Sequence, residues 1–177
     1  MQLVHILESI NTTSKMTWYH GSSMPIKKFS MSKIGQGGRS ISNYHGYGLY
    51  FISDPNRAKT YGPVVTQVTI DPSADILYKK VTPTQLKKIY RQLKLESMSW
   101  FKADEFFNNP KYGKFSVLSD VYEFYEFLMR IYRNHLKSFK DVSEFLSRAG
   151  ISGMRVVNDV NDDILVIFND AVINVIK

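Results

Sequence analysis

Strand-like runs occupy both ends of this chain and helix-like runs its middle, and that order narrows the fold more than any single motif does. Early on, "MTWYHG" is apolar and aromatic and ends in a glycine, "YGLYFIS" reads as a second strand, and "VVTQVTI" alternates as a third until Asp71-Pro72 stops it. Late in the chain, "ISGMRVV", "DILVIF" and "AVINVIK" are β-rich runs separated by Asn-Asp turns, which predicts a terminal strand-turn-strand unit. Regular alternation of strand and helix is missing. The pattern therefore predicts an α+β domain with a mixed or antiparallel sheet. At 177 residues, with no internal repeat and no dividing linker, the chain reads as one domain over 1–177.

The helical signals are local and specific. Leu3, Ile6, Leu7 and Ile10 have helical spacing, so a short N-terminal helix is expected within residues 1–15. In "SDPNRAKTYG", Ser53 or Asp54 is placed to cap a short helix, with Pro55 in its first turn and Gly62 at its end. Residues 82–149 read as a mainly helical insertion. Thr82 and Gln85 have capping-box spacing around Pro83. Further on, Val121, Phe124, Tyr125, Leu128, Ile131, Tyr132 and His135 recur every three or four residues and predict one buried stripe. "DVSEFLSRAG" is a shorter helix that ends at Gly150.

Composition matters here for what it excludes. There is no cysteine, which rules out disulfides, a thiol nucleophile and thiolate metal sites, and fits a reducing compartment. The four histidines, His5, His20, His45 and His135, have no metal-cage spacing. No apolar run approaches membrane length and "MQLVHILESI" is too short and polar for a signal peptide, so a soluble, cytoplasmic protein without a membrane partner is expected. A net charge of +7 favours something acidic as partner: a phosphate-bearing cofactor, an acidic protein or nucleic acid.

Three segments carry candidate chemistry. The loop "GQGGR" presents backbone N–H groups suited to a phosphate, with Arg39 beside them, but lacks the lysine and hydroxyl of a P-loop. Tyr19-His20-Gly21-Ser22 sets a histidine next to a residue whose backbone a ligand can approach closely. "GYGLYFISDPNRAKTYG" gathers four aromatics and three glycines around a capped turn. Each reads alone as a turn, a structural histidine or a strand with a bulge.

Together they resemble the diphtheria-toxin-like ADP-ribosyltransferase superfamily, in the branch of the poly(ADP-ribose) polymerases and related bacterial and phage transferases. That branch carries a histidine in H-G-[ST], a tyrosine in G-x-G-[IL]-Y-F, a short helix ending in a second tyrosine, and a late strand E-Y-[IV]-V-[FY]. The resemblance covers roughly residues 17–80 and 149–177. It implies an ADP-ribosyltransferase-like fold with its sheets around an NAD cleft, NAD as substrate, no metal, and a macromolecular acceptor. It further implies that His20 binds a ribose hydroxyl of NAD and that Gly21 offers its backbone to the nicotinamide carboxamide, with Ser22 flanking. Tyr50 and Tyr61 become the two walls around the nicotinamide ring. Arg39 is a candidate for the pyrophosphate. The position three before Tyr61, often a hydroxyl residue in the family, is Ala58 here.

One departure decides what activity to expect. Aligning "ILVIF" with the last motif puts Ile164 where chain-extending members carry a catalytic glutamate, and isoleucine neither accepts a hydrogen bond nor activates a nucleophile. The resemblance then implies a mono-ADP-ribosyltransferase acting on a protein. Asp163, with Asp162 before it, is the candidate substitute carboxylate should the strand register shift. Two alternatives stay open: a catalytically inactive binding module of the same fold, and a transferase that modifies nucleic acid.

Overall fold

The computed structural model describes residues 16–34, 47–96, 121, 123–125, 128, 139–157 and 163–176. The expected N-terminal helix, the "GQGGR" loop with Arg39, the residues Ile131, Tyr132 and His135 of the aromatic stripe, and Asp162 lie outside the described residues.

Seven strands form one mixed sheet. In chain order they are β1 (Trp18–Ser22), β2 (Leu49–Ile52), β3 (Val64–Ile70), β4 (Ile76–Tyr78), β5 (Gly153–Val157), β6 (Asp163–Ile167) and β7 (Ile173–Val175). Across the sheet the order is β4-β5-β6-β2-β1-β3-β7. Only β4 and β5 run parallel, and every other neighbouring pair is antiparallel. The fold is α+β, as the order of runs in the sequence implied.

The helices are α1 (Pro55–Tyr61), α2 (Pro83–Leu95) and α3 (Phe139–Arg148). Asp54 caps α1 by accepting the Asn56 N–H at 2.8 Å, Pro55 occupies the first turn and Gly62 ends the helix. Thr82 and Gln85 close the expected capping box on α2, each side chain holding the other's backbone N–H. A parallel strand pair needs a long crossover, and the helical stretch between β4 and β5 supplies it.

Each face of the sheet buries its own apolar layer. On one, Met154, Ile164 and Val166 meet Ile89 and Leu93 of α2, the helical residues Val121, Phe124, Tyr125 and Leu128, and Phe145 of α3. Those four helical residues are the described part of the predicted stripe, and all four are buried. The Tyr125 hydroxyl lies 3.0 Å from Ser143 Oγ, and burial pushes its pKa up to about 12. On the other face, Trp18, Phe29, Phe51, Leu165 and Ile167 form the second layer.

The terminal unit differs from the sequence expectation. β5 and β6 pair as anticipated, but the chain then crosses the sheet, and β7 pairs with β3 at the opposite edge. Both edges of β6 are already occupied, by β5 and β2, so no place remains beside it. Part of "AVINVIK" is also not strand: Asp170–Val172 is a 3-10 turn capped by the Asn169 side chain. The Asp170 carboxylate accepts the Met31 N–H at 2.8 Å and the Val172 carbonyl accepts the Asp71 N–H at 2.8 Å, which anchors the crossing. The short strand β4 was not evident in the sequence, since three residues are too few to show alternation.

Candidate functional site

The three strands that carry the motif residues are neighbours, in the order β6-β2-β1. They are not joined equally. β2 and β6 pair at four positions, from Leu49↔Ile167 to Ile52↔Ile164, whereas β1 and β2 pair at Tyr19↔Ile52 alone. Continuing that register would set Gly21 opposite Tyr50, but the ladder stops first. The sheet opens there.

His20 stands at the opening. Its Nδ1 lies 2.8 Å from the Tyr50 carbonyl oxygen, and because that oxygen only accepts, Nδ1 carries the proton. The ring packs edge-on against Phe29 at 5.2 Å between centroids and tilted against Phe51 at 5.8 Å. Burial lowers the His20 pKa below its ordinary value, while the Tyr50 carbonyl acts the other way. The imidazole is therefore held neutral in one tautomer, and Nε2 is left as an acceptor with no hydrogen-bond partner among the described residues.

Gly21 turns its backbone into the same opening. The Gln67 carbonyl accepts the Ile176 N–H at 3.0 Å, so Gln67 points away from β1. Its partner Tyr19, and Gly21 two residues on, consequently direct N–H and C=O away from β3 and toward β2. A side chain at Gly21 has no room: a Cβ there would sit 1.8 Å from the Ala58 carbonyl oxygen. At Gly62 it would sit 2.4 Å from the backbone carbonyl of Ser22. These two glycines let α1 lie directly on β1. The absence of a side chain at Gly21 is thus explained by packing, whatever else approaches its backbone.

α1 brings up the remaining residues. Ala58 is fully buried under the helix and offers only a methyl group, so no side-chain hydroxyl stands at that position. Tyr61, at the helix end, leaves 58% of its surface exposed, an unusual fraction for so large a ring. The Ser22 hydroxyl donates to the Met24 carbonyl at 2.7 Å and thereby holds the turn after β1. Tyr50 is half-buried, and its ring packs on the apolar layer of the Ile164 face, while its carbonyl meets His20.

β6 contributes no acid to this opening. Ile164 is buried in the apolar layer. Asp163 precedes it on the strand and so faces the other side of the sheet. There the Arg155 guanidinium grips it with two hydrogen bonds: Nε donates to Oδ1 at 2.7 Å and Nη2 donates to Oδ2. Arg155 itself stacks 4.4 Å from the Tyr78 ring and 5.6 Å from that of Trp18. Asp163, as a substitute for the missing glutamate, would first have to leave that buried pair, and no register shift is seen: Ile52↔Ile164 is in step with the whole β2–β6 ladder. The pairing was legible in principle, since Arg155 and Asp163 flank the Asn-Asp turn of a predicted hairpin. Phe29 and Phe51, which clamp His20, were missed because nothing in the sequence spacing links them to it.

Among the described residues no group of three or more histidine, aspartate or glutamate side chains is placed to hold a metal ion. Among the same residues, no helix is long and apolar enough to cross a membrane. No family model matches the chain, and no curated protein matches it. A solved structure, described as the crystal structure of an anti-CRISPR protein, aligns over 93% of this chain and 99% of its own at 13% identity, with a TM-score of 0.45.

Proposed function

We propose that this protein is a mono-ADP-ribosyltransferase that uses NAD as substrate and transfers its ADP-ribose to a macromolecular acceptor, most simply a protein, releasing nicotinamide. The observation that carries the reading is the opening between β1 and β2, where His20, neutral and fixed in one tautomer, stands beside the inward-turned backbone of Gly21. A neutral Nε2 acceptor suits a ribose hydroxyl, and a paired N–H and C=O suit a carboxamide. The exposed Tyr61 ring, delivered by α1 to the end of the same strand, suits stacking on a flat heterocycle.

In the reaction the bond from the ribose carbon to the nicotinamide nitrogen breaks, and its electron pair leaves with neutral nicotinamide. The ribose carbon then bonds to a nucleophile of the acceptor, which gives up its proton to solvent or to the acceptor itself. With Ile164 in place of a carboxylate, the protein's part is to bind and orient rather than to take the proton. The test is transfer of label from adenylate-labelled NAD to the proteins of a bacterial cell lysate. Transfer is expected with the native chain and is expected to be lost in His20→Ala and Tyr61→Ala. Equal labelling in all three would overturn the reading.

The burial of Ile164 also favours a second reading, a binding module of the same architecture. NAD that binds without release of nicotinamide or transfer of label would support it.

A further inference from the structure

We propose that the outer face of α2 docks the sugar–phosphate backbone of nucleic acid. The inference is independent of how the β1–β2 opening is read. α2 has the sequence "PTQLKKIYRQLKL", with four cations and no acid, against a net charge of +7 for the whole chain. Gln85, Ile89 and Leu93 form its buried side. Lys87, Lys88, Arg91 and Lys94 are all exposed on the other.

A helix face that meets only water ordinarily mixes signs, because opposite charges three or four residues apart stabilise a helix and like charges destabilise it. Here Lys87 and Arg91 are four apart, and Lys88/Arg91 and Arg91/Lys94 three apart, with like charge in every case. Each such pair costs about as much as an opposite-charge pair at the same spacing would gain. Among the described residues, two acids lie close by and are already engaged. Asp75 holds Lys88 alone, at 2.7 Å, and Glu96 beyond the helix end is taken by Arg148 at 2.7 Å. Lys87 and Arg91 have no ion pair among the described residues. The half-buried Tyr90 ring lies beneath the row, 4.8 Å from the Lys94 ammonium.

The chemistry of the face selects among anionic partners. Lys87, Arg91 and Lys94 span about 10 Å of helix, and a duplex offers one phosphate charge per about 1.7 Å of its axis. A rod of that charge density meets every cation at once. A protein partner would be anchored by a few large apolar or aromatic side chains in pockets. On this face Leu95 alone is a large exposed hydrophobic residue among those described, and it sits at the helix end.

The test is fluorescence anisotropy with a fluorescein-labelled 20-base-pair DNA duplex, titrated with the full chain between 50 and 200 mM salt. Three phosphate contacts predict that log K falls with log salt at a slope of about −3. Lys87→Glu/Arg91→Glu is expected to weaken binding at least tenfold at the lowest salt and to flatten the slope by about two. Lys27→Glu/Lys28→Glu, also exposed lysines, makes the same change in net charge elsewhere and is expected to keep most of the affinity. Circular dichroism confirms that each variant is folded. Absence of binding at 50 mM salt would overturn the proposal, as would equal losses in the two double variants. Polyglutamate competing as well as DNA, charge for charge, would overturn it in favour of an acidic protein partner.

Discussion

The two edges of β2 are built from the same four residues and behave in opposite ways. Toward β6 every position is in register, and the layers on both faces are apolar: Leu165 and Val166 are completely buried. Toward β1 a single pair forms, after which a histidine side chain takes the place of a strand partner for the Tyr50 carbonyl. The contrast teaches that one strand can be locked into the core on one edge and left largely unpaired on the other. The closed edge fixes where β2 lies, and the open edge leaves backbone groups of β1 without a ladder partner on β2 beyond Tyr19. A rigid flank is what makes an opening useful, because groups that must orient a substrate cannot drift.

The difference is breakable by substitution. Leu165→Ala, on the closed edge, removes a fully buried side chain and is expected to cost about 4 kcal/mol in urea unfolding. Gly21→Ala, on the open edge, drives a methyl group into the Ala58 carbonyl and is expected to cost about 3 kcal/mol, as overpacking does. The two are expected to part company in NAD binding. Leu165→Ala keeps it wherever the protein stays folded, and Gly21→Ala loses it because α1 and Tyr61 must move. Equal effects on binding would mean that the two edges are not functionally distinct.

A smaller effect tests the state of His20. Burial lowers its pKa in the folded protein below the ordinary 6.5, so the unfolded chain binds more protons between those two values. The contribution to stability is therefore whole above pH 6.5 and is lost as pH falls below it toward the folded pKa. The slope for one proton is at most about 1.4 kcal/mol per pH unit. His20→Asn, which keeps an N–H donor for the Tyr50 carbonyl, is expected to remove that part of the slope. Urea midpoints at pH 7.5 and 5.5 for both proteins measure it, and identical slopes would contradict a buried neutral imidazole.

What could be read from the sequence was what is decided locally. The Asp54 cap with Pro55, the Thr82–Gln85 box, and the 3.6-residue recurrence of Val121, Phe124, Tyr125 and Leu128 all depend on neighbours a turn or two away. The passage of β7 to the far edge is not local: it follows from both edges of β6 being filled, a fact about the whole sheet. The candidate site divides in the same way. His20, Gly21, Tyr50 and Tyr61 were singled out through a resemblance. That His20 bonds a strand carbonyl, and that Gly21 is bare because α1 presses on it, depends on strand divergence and helix packing between distant segments. Asp163 is a candidate substitute only on a shifted register, and what holds it in the register adopted is likewise a contact between strands. Arg155, which is paired with Leu165, lies diagonally across from it only once the β5–β6 hairpin has formed.

Entry of NAD at the β1–β2 opening is tested most directly by a two-dimensional amide NMR titration with NAD. The largest shifts are expected at Gly21 and Ser22, with Tyr50 and Tyr61 next and the β3–β7 edge unmoved. Saturable shifts confined to β3 and β7, or no shifts at millimolar NAD, would contradict it.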